Sequence, residues 1–125
     1  MTEKQVKDFL SLNEKFNNRC DTVCQLLQPF DNSFGYLDTF EPDGDFVYGE
    51  GDEYWGYGGH EHHGKKFPLK YLWLKDDEIE AIVKQAVEDK ERQIKEKKEK
   101  EQREQEERLL ESQRKLYEEL KRKFE

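Results

Sequence analysis

The chain has 125 residues, of which 42% are charged and 33% hydrophobic, and its net charge is −8. No apolar run approaches the roughly 18 residues of a membrane span, and the first residues lack the pattern of a secretion signal, so we expect a cytoplasmic protein. Twelve of the sixteen aromatic residues lie within residues 30–73. A small core is expected there, because aromatic burial is the main means of offsetting chain entropy.

The N-terminal segment predicts a long helix. Thr2 and Gln5 have the spacing of a capping box, and Pro29 ends the helix near Gln28. Apolar side chains recur at helical spacing, which predicts that one face packs on a sheet. They are Val6, Phe9, Phe16, Cys20, Val23 and Leu27, with Leu10, Cys24 and Leu26 beside them. The alternative is a coiled coil in which Asn13 sets the register.

The central segment changes to a period of two, which predicts strands. A first strand is expected over residues 34–40, followed by a turn at residues 41–44 that contains Pro42 and Gly44. A second strand follows to Tyr57, and after Gly58 and Gly59 a third runs to about Phe67. Residues 68–73 are expected to leave the sheet as a short helical turn. The predicted fold class is α+β, with the N-terminal helix packed on a three-stranded antiparallel meander.

The C-terminal segment predicts one long, coiled-coil-like helix over residues 77–125, which leaves residues 1–76 as a small body. Its start carries an apolar stripe from Ile79 to Val87, its middle over residues 88–108 is charged, and its far end is apolar again. We expect a second copy of the chain to cover that far end, and a groove of another protein is the alternative. The residues concerned are Leu109, Leu110, Leu116, Tyr117, Leu120 and Phe124.

An acidic block precedes this helix. Residues 20–64 contain ten Asp or Glu and no Lys or Arg. Because phosphate contacts require basic side chains, direct binding of nucleic acid by this block is excluded, and a protein with a basic surface is the expected partner. Whether the block mimics nucleic acid or only presents a solvated face stays open. The candidate contact residues are Asp43, Asp45, Glu50, Asp52 and Glu53.

Three histidines follow the Gly58-Gly59 turn. On a strand, His60 and His62 share one face, while His63 lies on the other face with Glu61. A metal site that combines His60 and His62 with Cys20 and Cys24 is an alternative, but the spacing matches no standard zinc motif, so exposed histidines and no bound metal are favoured. No motif for a nucleophile or a phosphate-binding loop is present. We therefore expect a non-enzymatic protein without a cofactor.

Two short motifs carry a resemblance. They are YWGYGG at residues 54–59 and FPLKYL at residues 67–72, separated by the histidine-containing strand. Together they resemble small uncharacterised proteins encoded by bacteriophages, over residues 45–80. The resemblance implies a small accessory protein of phage origin that binds and alters a host or phage protein. We accordingly expect a protein of the host cytoplasm that inhibits or modulates a host nucleic-acid enzyme or defence protein.

Overall fold

The computed structural model describes residues 1–124 and has the predicted α+β architecture. Two helices, α1 (Glu3–Leu27) and α2 (Asp76–Phe124), flank three strands, β1 (Thr39–Asp43), β2 (Phe46–Trp55) and β3 (Gly59–Pro68). Two short 3₁₀ helices, Asn32–Tyr36 and Leu69–Leu72, connect them. Neither α1 nor α2 has a stretch apolar enough to cross a bilayer within the described residues.

Helix α1 begins at the predicted capping box. The Gln5 backbone N–H donates to Thr2 Oγ1 at 3.1 Å, and the Thr2 backbone N–H donates to Gln5 Oε1 at 2.9 Å. The second half of the apolar stripe is buried from Cys20 to Leu27, whereas in the first half Phe9 remains 59% exposed. The predicted packing of α1 on the body therefore holds only for its second half.

A 3₁₀ helix replaces the first part of the predicted first strand. Asp31 precedes it, and the Asp31 Oδ1 atom accepts the backbone N–H of Ser33 at 3.0 Å. This local side-chain bond favours a tight turn over an extended strand. The prediction of a strand over residues 34–40 was wrong for residues 34–38, because residues 34–36 belong to the 3₁₀ helix and β1 begins only at Thr39.

The sheet has the order β1-β2-β3 with both pairs antiparallel, which confirms the predicted meander. The prediction of a turn at residues 41–44 was wrong for residues 41–43. Strand β1 continues through Pro42 to Asp43, which pairs with Phe46. Only Gly44 and Asp45 make the turn, and Gly44 has φ +62°. A glycine with positive φ at the first position of a two-residue loop matches a type II′ turn. Pro42 is tolerated because β1 lies at the sheet edge.

The second hairpin turns through three residues between the paired Trp55 and Gly59. Tyr57 at its tip has φ +65° and Gly58 has φ +75°, so the chain reverses through the left-handed region at both. The Trp55 indole lies across Gly59, where a Cβ atom would sit 1.8 Å from Trp55 Nε1. A side chain at position 59 would therefore displace the Trp55 indole, which is 53% exposed.

One hydrophobic core joins α1, the sheet, both 3₁₀ helices and the start of α2. Its largest fully buried side chains include Phe67, Ile79, Val23 and Val47. Tyr71 of the second 3₁₀ helix is buried, whereas Trp73, which follows this helix, is exposed.

The chain separates into two compact units, Met1–Val87 and Glu88–Glu125. The first unit extends past residue 76 because the start of α2 is buried within the core.

Arg19 ties α1 to the junction between the second 3₁₀ helix and α2. Its guanidinium donates to the carbonyl oxygens of Leu72 at 3.2 Å, Tyr71 at 3.2 Å and Leu74 at 2.6 Å, and it also bonds the Asp76 carboxylate. The planar fork of arginine can serve several acceptors at once. A single side chain therefore satisfies the carbonyls at the end of one helix and fixes the start of the next.

Candidate functional site

The β2–β3 hairpin carries titratable side chains on both faces. Directly paired residues in an antiparallel sheet place their side chains on the same face. The pairs Val47–Phe67, Gly51–His63 and Glu53–Glu61 define the inner face, which continues from the core. The pairs Asp52–His62 and Tyr54–His60 define the outer face. The predicted division of the histidines between two faces is confirmed.

On the outer face, two imidazoles converge on one carboxylate. Asp52 Oδ1 lies 2.9 Å from His60 Nε2 and 2.8 Å from His62 Nδ1. The other nitrogen of His62 lies 3.3 Å from Glu50 Oε2, and the His60 ring stacks on Tyr54 with a centroid separation of 4.9 Å. Since both nitrogens of His62 face carboxylate oxygens, its surroundings suit the doubly protonated imidazolium.

These contacts shift two pKa values in opposite directions. Hydrogen bonds from His62 and His60 lower the pKa of Asp52 below its usual 3.8, and the hydrogen bond to Asp52 raises the pKa of His62 above its usual 6.5. The Asp52 contribution to stability is present above pH 3.8 and is lost as pH falls through the lowered pKa. The His62 contribution is complete below pH 6.5 and is lost as pH rises through the raised pKa. The pair thus stabilises the hairpin most between these two pH values.

We expect Asp52→Asn to lower the pKa of His62 towards 6.5, because the mutation removes the largest cause of the shift. An NMR titration of the His62 ring protons, in the presence of a chelator, measures this directly. The matched control is Asp45→Asn, which removes the same charge at the first turn, and it should move the His62 midpoint much less. An unchanged His62 midpoint in Asp52→Asn would contradict the assignment.

On the inner face, a histidine and two glutamates come together. His63 Nε2 lies 2.9 Å from Glu53 Oε2 and 3.9 Å from Glu61 Oε2. The His63 side chain is only 12% exposed and stacks on Tyr36, with ring centroids 5.0 Å apart. The hydrogen bond from His63 is the main cause that lowers the pKa of Glu53, and Tyr36 also bonds this carboxylate. We refer to Glu53, Glu61 and His63 as the inner cluster.

A close backbone approach sets the position of Tyr36 over the inner cluster. A Cβ atom on Gly51 would lie 1.8 Å from the Tyr36 carbonyl oxygen and 3.0 Å from the Leu37 Cα atom. The chain after the first 3₁₀ helix therefore lies flat on β2 at this glycine. Lys65 of β3 fixes the start of the same 3₁₀ helix, since its Nζ atom lies 3.1 Å from Asp31 Oδ2.

The acidic residues predicted to meet a basic partner differ in their surroundings. Asp43 Oδ2 lies 2.7 Å from Lys66 Nζ, while Asp52 and Glu53 bond histidines. Glu50 contacts His62, and Asp45 lies in the first turn. Because several of these carboxylates have cationic or titratable partners within the sheet, the surface carries less free negative charge than the sequence count indicates.

The two cysteines lie in the core, away from the hairpin histidines. Cys20 and Cys24 are buried as free thiols on successive turns of α1. Burial raises the pKa of Cys20 to about 11 and that of Cys24 to about 12. Among the described residues, the set of three or more candidate metal ligands whose atoms converge is the inner cluster. The structure therefore does not bring the two cysteines together with His60 and His62 as one ligand group.

The far end of α2 carries the predicted apolar residues on a helix that the structure describes to Phe124. Their exposure ranges from 48% for Leu120 to 84% for Phe124. This segment belongs to the second compact unit. We call these six residues the distal stripe: Leu109, Leu110, Leu116, Tyr117, Leu120 and Phe124.

Sequence reasoning missed three residues that build these sites. Tyr36 was assigned to a strand, and no contact of Gly51 or Arg19 with distant residues was predicted. Each acts on residues distant in the chain, and no local pattern signals such a contact. No protein-family model matches the sequence, and no curated protein or solved structure is significantly similar to it.

Proposed function

We propose that this protein is a non-enzymatic protein–protein interaction factor that assembles with copies of itself through the distal stripe. The supporting observation is the exposure of six large apolar side chains on one 16-residue length of helix. Burying such side chains gains about 1.5 to 3 kcal/mol each, so a helix that leaves all of them in water is incomplete without a partner.

The spacing of the distal stripe specifies the kind of partner. In heptad notation, Leu109 and Leu116 occupy d positions, Leu120 an a position, and the remaining three residues e positions. A face with three apolar positions in seven is typical of a helix in a bundle, whereas a two-stranded coiled coil uses the narrower a and d seam. Two heptads are also short for an isolated coiled coil. Several helices packed side by side could bury this wide apolar face, and such a bundle does not depend on a long two-stranded seam.

A second copy is the occupant that the charges favour. Acidic and basic side chains alternate on the rest of this segment, and Lys115 Nζ lies 3.7 Å from Glu111 Oε1 within it. A surface of mixed sign does not repel an identical surface, unlike one that carries a single sign. Gln113, at the a position between Leu109 and Leu116, is then expected to pair with its own copy and set the register.

Sedimentation equilibrium at tens of micromolar tests the proposal. The wild-type chain should show a mass above the 15.1 kDa of one copy, and the double variant Leu116→Asp, Leu120→Asp should return to 15.1 kDa. The matched control is Gln105→Asp, Ser112→Asp, which adds the same two charges to the same helix outside the stripe and should keep the wild-type mass. Circular dichroism checks that both variants remain helical.

Two outcomes would contradict the proposal. A wild-type mass of 15.1 kDa throughout this range would exclude self-association. A larger mass that persists in the stripe variant but is lost in Phe9→Asp would place the contact on the exposed first half of α1. That result would support the coiled-coil alternative for the N-terminal helix.

A further inference from the structure

A separate feature of the molecule is the convergence of ligand atoms in the inner cluster. Glu53 lies on β2, and Glu61 and His63 lie on β3, so register alone brings the three side chains to one face. One ligand atom from each lies within 4.8 Å of the other two. The set is distinct from the histidines and cysteines that the sequence suggested.

The distances between ligand atoms are close to those around a single ion. Bonds of about 2.0 to 2.2 Å from a transition metal to nitrogen or carboxylate oxygen place neighbouring ligand atoms roughly 3 to 3.5 Å apart. His63 Nε2 lies 2.9 Å from one carboxylate oxygen and 3.9 Å from the other, on either side of that range. To ligate the same ion, the Glu61 carboxylate would have to move closer to His63, and this side chain is 61% exposed.

The surroundings of the cluster are ordered in the way that metal ligands require. Tyr36 covers one face of the His63 ring and also bonds the Glu53 carboxylate, so both ligands are oriented by one neighbour. Such outer contacts fix ligand direction and raise affinity in metal sites. Glu61 is 61% exposed, which leaves an open side for entry of the ion.

We propose that Glu53, Glu61 and His63 bind one divalent transition-metal ion of the Zn²⁺ class, which clamps β2 to β3. One imidazole with two carboxylates suits Zn²⁺, Mn²⁺, Fe²⁺ or Co²⁺. Ca²⁺ and Mg²⁺ are disfavoured, because Ca²⁺ takes six to eight oxygen ligands and Mg²⁺ demands near-ideal octahedral geometry with oxygen ligands. The clamp involves no residue of the distal stripe, so it stands apart from the proposed self-association.

Calorimetric titration of the full chain with Zn²⁺ tests the proposal, using protein prepared without a histidine tag and stripped with a chelator. One equivalent should bind and raise the melting temperature, and the nitrogen resonances of His63 should shift on binding. Glu61→Gln removes one ligand but leaves the His63–Glu53 pair, and it should weaken binding about tenfold or more. His60→Gln, on the outer face, is the matched control and should keep wild-type affinity.

Three results would overturn it. The first is the lack of saturable binding at millimolar Zn²⁺. The second is loss of binding in His60→Gln with retention in Glu61→Gln, which would place the ion on the outer face. The third is equal competition by Mg²⁺ or Ca²⁺, which would exclude the transition-metal class.

Discussion

Gly51→Ala is expected to lower the free energy of unfolding by about 3 kcal/mol or more. The added Cβ atom would meet the Tyr36 carbonyl oxygen at 1.8 Å, and this obstacle is backbone rather than the end of a flexible side chain. Relief requires the chain around Tyr36 and Leu37 to lift from β2. Urea denaturation monitored by circular dichroism gives the size of the loss.

Gly56→Ala is the matched control for this variant. A Cβ atom there meets nothing within 4 Å, so the change should range from none to a gain of about 1 kcal/mol. The Gly51 variant should also shift the His63 ring protons, because the Tyr36 ring that stacks on them moves away. A Gly51→Ala protein with wild-type stability would show that the close approach is not present in solution.

Arg19→Met is expected to destabilise the body by about 2 to 4 kcal/mol, because it removes four hydrogen bonds from one partly buried guanidinium. Methionine keeps most of the aliphatic contact, so the loss reports the polar contacts. Arg19→Lys retains the charge next to Asp76 but lacks the fork that reaches several carbonyls. The stability of Arg19→Lys should fall between that of the wild-type protein and that of Arg19→Met.

The control for the Arg19 variants is Arg92→Met. Arg92 forms an exposed pair with Asp89 at 3.1 Å within α2, and pairs of this kind contribute roughly 0 to 1 kcal/mol. Chemical denaturation of all three variants at one protein concentration provides the comparison. Equal stabilities for Arg19→Met and Arg92→Met would refute a special role for Arg19.

Local sequence patterns predicted those elements whose causes are local. The capping box at Thr2 and Gln5 predicted the start of α1, and side-chain parity predicted the two faces of β3. The misplaced first turn has a physical explanation. Pro42 was interpreted as a turn residue, but an edge strand also accepts proline, and the reversal occurs at Gly44, where positive φ is available.

The candidate site depends on contacts that sequence spacing does not encode. Tyr36 reaches His63 only because Gly51 admits the intervening backbone, and Arg19 binds carbonyls more than fifty positions away. The inner cluster requires the register between β2 and β3, which places Glu53 opposite Glu61. The sequence favoured no bound metal, and the metal alternative that it raised combined His60 and His62 with Cys20 and Cys24 rather than the residues of the inner cluster.

Pro42 on β1 has a consequence for how copies of this protein can meet. An uncovered strand edge offers a template on which another chain can add main-chain hydrogen bonds, and this is a common route to fibrous aggregates. Proline removes one of the required donors, and the neighbouring Glu41 adds a negative charge that repels an incoming identical strand. Growth of the sheet through the β1 edge is therefore disfavoured, and the edge that Pro42 does not protect is β3 on the other side of the sheet.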